Sequence, residues 1–145
     1  RFKDDMIFEY LITPIAAWLV AGCLKFLINS LRSGGAAFSQ IGYGGLPSNH
    51  TSIVISTATL IALKEGFDHP AFGVAITLAF IVVLDASSLR RQIGRHVVTI
   101  NELAGKSAGS REIPALRERV GHTPLEIVAG VVVGILVAWA VRFVL

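Results

Sequence analysis

Charge, cysteine and long apolar runs are all scarce in this sequence of 145 residues. Charged residues make up 16%, against about 25% in an ordinary soluble domain. Apolar residues, at 53%, fill the deficit. That balance points to a membrane protein. The one cysteine, Cys23, excludes an internal disulfide. It lies within an apolar run and reads as helix packing. The net charge of +3 is small, and no basic patch is interleaved with aromatics, which argues against nucleic acid as a partner. Also missing is an apolar run of the roughly 20 residues that cross a bilayer. The charge-free stretches Tyr10–Leu24, Thr51–Leu63, Pro70–Leu84 and Ile127–Val141 are each shorter. Taken one at a time they fit buried helices of a soluble bundle. Four of them in a chain of single-domain length, with polar groups gathered at their ends, favour membrane helices whose terminal charges snorkel. The first run lacks a small-residue cleavage signal, so it is not read as a removed signal peptide. The start, Arg1-Phe2-Lys3-Asp4-Asp5, reads as truncated.

What is present falls into four segments. The first runs from about Met6 to Leu31, with Pro14 as a kink or a late start. Lys25 and Arg32 lie near its end. Seven residues apart, they share nearly the same helical face, roughly 10 Å apart along the axis. Phe38, Ile41 and Tyr43 in the following loop are candidate interfacial anchors. The second segment runs from Ser48 to about Lys64, with Ser52, Ser56, Thr57 and Thr59 for close packing in lipid. The third starts at Pro70 and continues past the apolar run through Asp85, Arg90 and Arg91 to about Leu103. Gly105–Ser110 reads as a loop, and Ile113–Val120 as a short charged interfacial helix. His69, between segments two and three, reads as a solvated loop residue. The fourth segment opens at Gly121-His122-Thr123-Pro124-Leu125-Glu126, a capping-box pattern with proline at the first helical position. Gly130 and Gly134 add a GxxxG face.

Alternating the direction of the four segments brings Lys25, Arg32, Ser48, His50, Asp85, Arg90, Arg91 and His122 to one membrane face. Cations, two histidines and a helix N-terminus gathered there suit the phosphate of a lipid headgroup. The stretch Gly44-Gly45-Leu46-Pro47-Ser48-Asn49-His50 is central. Its glycines allow close backbone approach, and its histidine can transfer a proton near neutral pH. The bland alternative is a helix start with Ser48 as N-cap and His50 as an ordinary first-turn residue.

These motifs resemble the type 2 phosphatidic acid phosphatase superfamily, which also includes vanadium haloperoxidases. Lys25 and Arg32 match its Lys-x6-Arg spacing, with Ser33 where proline is usual. Pro47-Ser48-Asn49-His50 is similar to its Pro-Ser-Gly-His. His122 with Glu126 is similar to the end of its third motif, with Glu126 for Asp and Leu116 where an arginine is usual. The match improves against a divergent branch of small bacterial and plant membrane proteins. Those resemble this chain in Gly44–His50, in Asp85-Ala86 followed by Arg90-Arg91, and in Gly121–Pro124.

The resemblance implies an all-α membrane bundle of about four transmembrane helices plus a short interfacial helix. It implies a metal-independent, cofactor-free lipid phosphate or diphosphate phosphatase. His122 would attack phosphorus to give a phosphohistidine, and Glu126, one turn on, would orient it. His50 would protonate the leaving oxygen and then activate water. Lys25, Arg32 and one or both of Arg90 and Arg91 would neutralise the phosphoryl oxygens, and Ser48 with nearby N–H groups would complete the cradle. Asp85 and Asn49 would support them. Simpler roles compete: Glu126 as a cap, Lys25 as a snorkelling lysine, Arg90-Arg91 as a topogenic cluster and Asp85 as half of a buried ion pair with one of those arginines. His96 competes with His122 because it lies six after Arg90, but position 100 is Ile100, without the carboxylate. The departures from the motifs keep open a non-catalytic protein that binds or translocates anionic lipids. The partners expected are a lipid phosphate and the bilayer, with a homodimer allowed by the GxxxG face. A bacterial inner membrane is the expected location. The positive-inside rule puts the motif face, which carries most of the Lys and Arg, in the cytoplasm.

Overall fold

The computed structural model describes residues 2–33, 45–107, 116 and 121–144, except for the side chains of 2–7, 33, 91 and 107. The anchors Phe38, Ile41 and Tyr43 and the expected helix Ile113–Val120 lie outside the described residues, apart from Leu116. Every described element is helical: α1 (Phe2–Ser33), α2 (Asn49–Glu65), α3 (Pro70–Leu84), a π turn (Asp85–Leu89), α4 (Arg90–Ser107) and α5 (Pro124–Val144).

The helix ends follow from local chemistry. Helix α1 runs through Pro14 rather than starting there. The Ser48 hydroxyl caps α2 by accepting the Thr51 N–H at 3.4 Å. Gly66, at φ +91°, ends it. Pro70 opens α3, and the cap before it is His69, whose Nδ1 accepts the Ala71 N–H at 3.2 Å. The expected loop histidine is therefore exposed but has a structural task. The capping box of α5 forms as read: Thr123 Oγ1 accepts the Glu126 N–H at 3.3 Å, and Glu126 Oε2 accepts the Thr123 N–H at 3.0 Å. Gly105 to Ser107, expected in a loop, continue α4.

The burial pattern settles membrane bundle against soluble bundle. Ala17, Ala21, Ala58, Ala75, Ala79 and Ala138 are buried, together with Gly130 and Gly134. Phe8, Trp18, Val74, Leu78, Phe80, Leu136 and Trp139 are exposed. A soluble protein hides its large apolar side chains. Here they face outward, and small residues let the helices approach closely, as in lipid. Among the described residues, three stretches are long and apolar enough to cross a membrane: Phe8–Arg32, Pro70–Lys106 and Pro124–Val144. Helix α2 is not among them. At 17 residues, with four Ser or Thr between Ser52 and Thr59, it is short and polar because it is enclosed. It packs on α5, α1 and α3.

Helices α2 and α5 run parallel. A methyl group placed at Gly130 would lie 2.7 Å from the Ser48 carbonyl oxygen, and one at Gly134 would lie 2.8 Å from that of Ser52. The Ser52 hydroxyl reaches the Ser48 and Gly130 carbonyls at 2.9 and 3.1 Å. The GxxxG face is thus taken up within the chain, and a homodimer would have to use another surface. Helix α1 runs antiparallel to α2. Their far ends are tied by the buried Lys64 ammonium on Glu9, at 2.9 Å, and by the Tyr10 hydroxyl donating to Glu65 at 2.6 Å.

Overpacking a tight contact costs about 1–3 kcal/mol. Gly130→Ala is therefore expected to lower the thermal midpoint in detergent, whereas Gly73→Ala, with nothing within 4 Å, should leave it unchanged or raise it. Equal midpoints for the two variants would contradict the close approach.

Candidate active site

The motif ends of the helices meet at one end of the bundle. The residue before α2 is held to the start of α5 by the Ser48 N–H, which donates to the Glu126 carbonyl at 2.9 Å. The loop before α5 is held to the π turn by the His122 N–H, which donates to the Ala86 carbonyl at 3.1 Å. Gly45 packs on α1, where a Cβ would lie 3.3 Å from Asn29 Oδ1. Both turns need glycine: Gly45 sits at φ +145° and Gly121 at φ +98°, a region that side chains disfavour.

His122 and Glu126 form the buried centre, 9% and 4% exposed. Those values mark a built pair rather than a solvated cap. The His122 Nδ1 lies 3.1 Å from Glu126 Oε2. The i,i+4 geometry expected from the sequence is present, and the same oxygen also serves the cap. A carboxylate partner sets Nδ1 as the protonated nitrogen and leaves Nε2 with its lone pair. The His50 ring is 6.3 Å from the His122 ring, centre to centre. His50 is partly exposed at the start of α2. Partial burial holds its imidazole below the ordinary value, and the proximity of Arg90, His122 and Lys25 pushes the same way against Asp85.

The cations are distributed unequally. Lys25, half-buried on α1, is within electrostatic reach of Glu126 and His50. Arg90 reaches His50 electrostatically, and its Nε donates to Asp85 Oδ2 at 2.7 Å. Arg32 is exposed in the last turn of α1, roughly 10 Å beyond Lys25 along the axis. The Arg91 side chain lies outside the described residues, though its backbone belongs to α4. His96 is exposed on α4.

Ser48 differs from its expected place. It is fully buried, and its hydroxyl accepts from both the Thr51 N–H and the Thr51 hydroxyl, the latter at 3.0 Å. Its own N–H is engaged by Glu126. Among the described residues, the first-turn amides of α2 without a partner are those of Asn49 and His50. These are the N–H groups that the helix start presents to an anion. The Asn49 Oδ1 is buried without a hydrogen-bond partner. The sequence offered Ser48 together with nearby N–H groups; the Ser48 hydroxyl is engaged within its own helix start, and the Asn49 and His50 amides remain.

The sequence is similar to those of known proteins. A family model described as "Divergent PAP2 family" matches residues 8–137. The chain belongs to the divergent PAP2 family. Membership relates it to the phosphatase superfamily named for phosphatidic acid. A relative in Bacillus subtilis (strain 168), "Uncharacterized membrane protein YuiD", is 29% identical over 147 residues, covering 92% of this chain and 93% of its own. No solved structure matches. The match to the divergent PAP2 family includes every site residue discussed above.

The tautomer provides a direct check. Nitrogen-15 NMR of labelled protein should show His122 protonated at Nδ1, and Glu126→Ala should move the proton toward Nε2. An unchanged tautomer in the variant would remove Glu126 as the orienting group.

Proposed function

We propose that this chain is a membrane-embedded phosphatase of lipid phosphates or diphosphates that works through a phosphohistidine. The observation that carries the reading is the buried His122–Glu126 pair, 3.1 Å apart, beside a second histidine and the free amides of a helix start. The gap between the two imidazoles suits a phosphoryl group whose attacking and leaving atoms lie in line. His122 Nε2 attacks phosphorus while the bond to the lipid oxygen breaks. His50 gives that oxygen its proton, so a lipid alcohol leaves and phosphate stays on His122. His50 then takes a proton from water, whose oxygen attacks phosphorus and breaks the P–N bond, releasing phosphate. Partial burial and the neighbouring cations disfavour the charged form of the free His50 imidazole. An arriving phosphate offsets the Arg90 and Lys25 charges and favours the protonated form that the first step needs. Lys25, Arg90 and the Asn49 and His50 amides neutralise the phosphoryl oxygens, with Arg32 as an outer cation. No step calls for a metal.

Leu116 favours a second reading. It stands where the wider superfamily carries an arginine, and its main chain is bound by Asn101 at 2.8 Å in both directions. A site short of one cation fits a protein that binds or moves anionic lipids without turnover.

Phosphate release from a panel of lipid mono- and diphosphates separates the two. Removing a covalent nucleophile costs at least about 10³-fold, so His122→Ala should abolish turnover. Removing an acid–base group costs about 10²–10⁴-fold, the loss expected for His50→Ala. Orthovanadate should inhibit, since it adopts the five-coordinate geometry of the transition state. Binding of the same lipids without release, in the unaltered protein, would establish the second reading.

The location that goes with this proposal is a bacterial inner membrane with the site facing the cytoplasm. A cysteine introduced at Lys106, in a Cys23→Ser background, should then resist an impermeant thiol reagent added to intact cells and react once the membrane is opened. Labelling in intact cells would reverse the orientation.

A further inference from the structure

The π turn Asp85–Leu89 has no role in the scheme above, yet two connections to the site pass through it. Its Ala86 carbonyl accepts the His122 N–H at 3.1 Å. Its Asp85 carboxylate accepts Arg90 Nε at 2.7 Å. In a regular α-helix, residues five apart point about 140° away from each other, and only i,i+3 and i,i+4 pairs meet. The wider π turn brings Asp85 and Arg90 to one side. The ion pair is therefore a product of the turn. The Ser87 hydroxyl braces the entry, with the Val83 and Leu84 carbonyls at 2.8 and 3.3 Å. The side chains of Arg90 and Asp85 are 39% and 35% exposed. A pair that open adds little to stability, so stability is a weak reason for the sequence to build it.

Building on the phosphatase reading, we propose that the π turn couples the two halves of the site. Ala86 fixes the main chain of the nucleophile, and Asp85 is a positioning residue that aims Arg90 at the phosphoryl oxygens. A guanidinium has five N–H donors in one rigid plane. Holding Nε fixes that plane and leaves the Nη hydrogens to face a tetrahedral anion. Lysine cannot do both, because its ammonium is a single point of charge on a flexible stem. The turn thereby sets the distance between the attacking nitrogen and the cation that balances the transition state.

A double-mutant cycle on the full-length protein tests this, with kcat, KM and orthovanadate affinity measured for each variant. Arg90→Ala should lower kcat/KM about 100-fold, the loss typical of one transition-state donor. Asp85→Ala should lower it about tenfold, mainly in kcat, and should weaken vanadate in parallel. Added to Arg90→Ala, it should cost less than about twofold, because a residue acting through Arg90 has nothing left to aim. Asp85→Asn keeps an acceptor for Nε and should recover part of the loss, which separates aiming from misfolding. Arg90→Lys should behave as Arg90→Ala. Equal losses for Asp85→Ala in both backgrounds would overturn the proposal. So would tighter substrate binding in Asp85→Ala, which would make the carboxylate a competitor for Arg90. If the unaltered protein binds vanadate but releases no phosphate, the phosphatase reading fails and the vanadate arm still decides the role of Asp85. If it does neither, both fall.

Discussion

The site depends on how closely α2 and α5 lie together. Lipid tails are as apolar as leucine, so helices in a bilayer gain little by hiding apolar surface from one another. What holds them is contact and hydrogen bonding. Gly130 and Gly134 remove the side chains that would keep α5 off the backbone of α2. The shortened distance lets the Ser52 hydroxyl reach the Gly130 carbonyl, and the Ser48 N–H reach the Glu126 carbonyl. Those bonds would be costly to leave unmade in a medium without water. Because the two helices run parallel, both N-termini come to the same end. The α2 start leaves the Asn49 and His50 amides there, whereas at the α5 start the Thr123 and Glu126 amides are taken up by the capping box.

The rest of the bundle supports that contact. Helix α1 crosses α2 antiparallel and delivers Lys25 to the same end, while Glu9 and Tyr10 clamp Lys64 and Glu65 at the other. The partly buried Lys64–Glu9 pair opposes sliding of α1 along α2, since a shift would strand the Lys64 charge without its partner. Helix α3 returns to the motif end and passes into the π turn. There the chain changes from an apolar helix to a cationic one. Asp85 and the Ala86 carbonyl join that junction to Arg90 and to His122.

Much of this is legible from local patterns. Ser48, Pro70 and Pro124 mark helix starts through chemistry confined to a few residues, and the structure places α2, α3 and α5 accordingly. Thr123 with Glu126 signals a capping box, and His122 with Glu126 an i,i+4 pair; both form, and a single carboxylate oxygen serves the two. Other features carry no such signal. His69 caps α3 through a ring nitrogen, which composition does not announce. The π turn has no propensity signature: Asp85-Ala86-Ser87-Ser88-Leu89 is equally at home in an ordinary helix. Ser48 looked like a phosphate ligand because a hydroxyl at a helix start can bond either to its own helix or to an anion. Burial decided for the helix.

By itself the sequence determined the helices, the membrane as their solvent and the end at which the polar groups collect, because each follows from periodicity, hydropathy and alternation of direction along the chain. Only the tertiary structure decided that α2 is the enclosed helix, that the GxxxG face meets α2 rather than a second copy, and that Ala86 and Glu126 lend their carbonyls to the His122 and Ser48 amides. The reason is physical. These contacts join positions dozens of residues apart through backbone atoms that every amino acid possesses, so no residue type encodes them. They exist only once small side chains have let the helices close to contact.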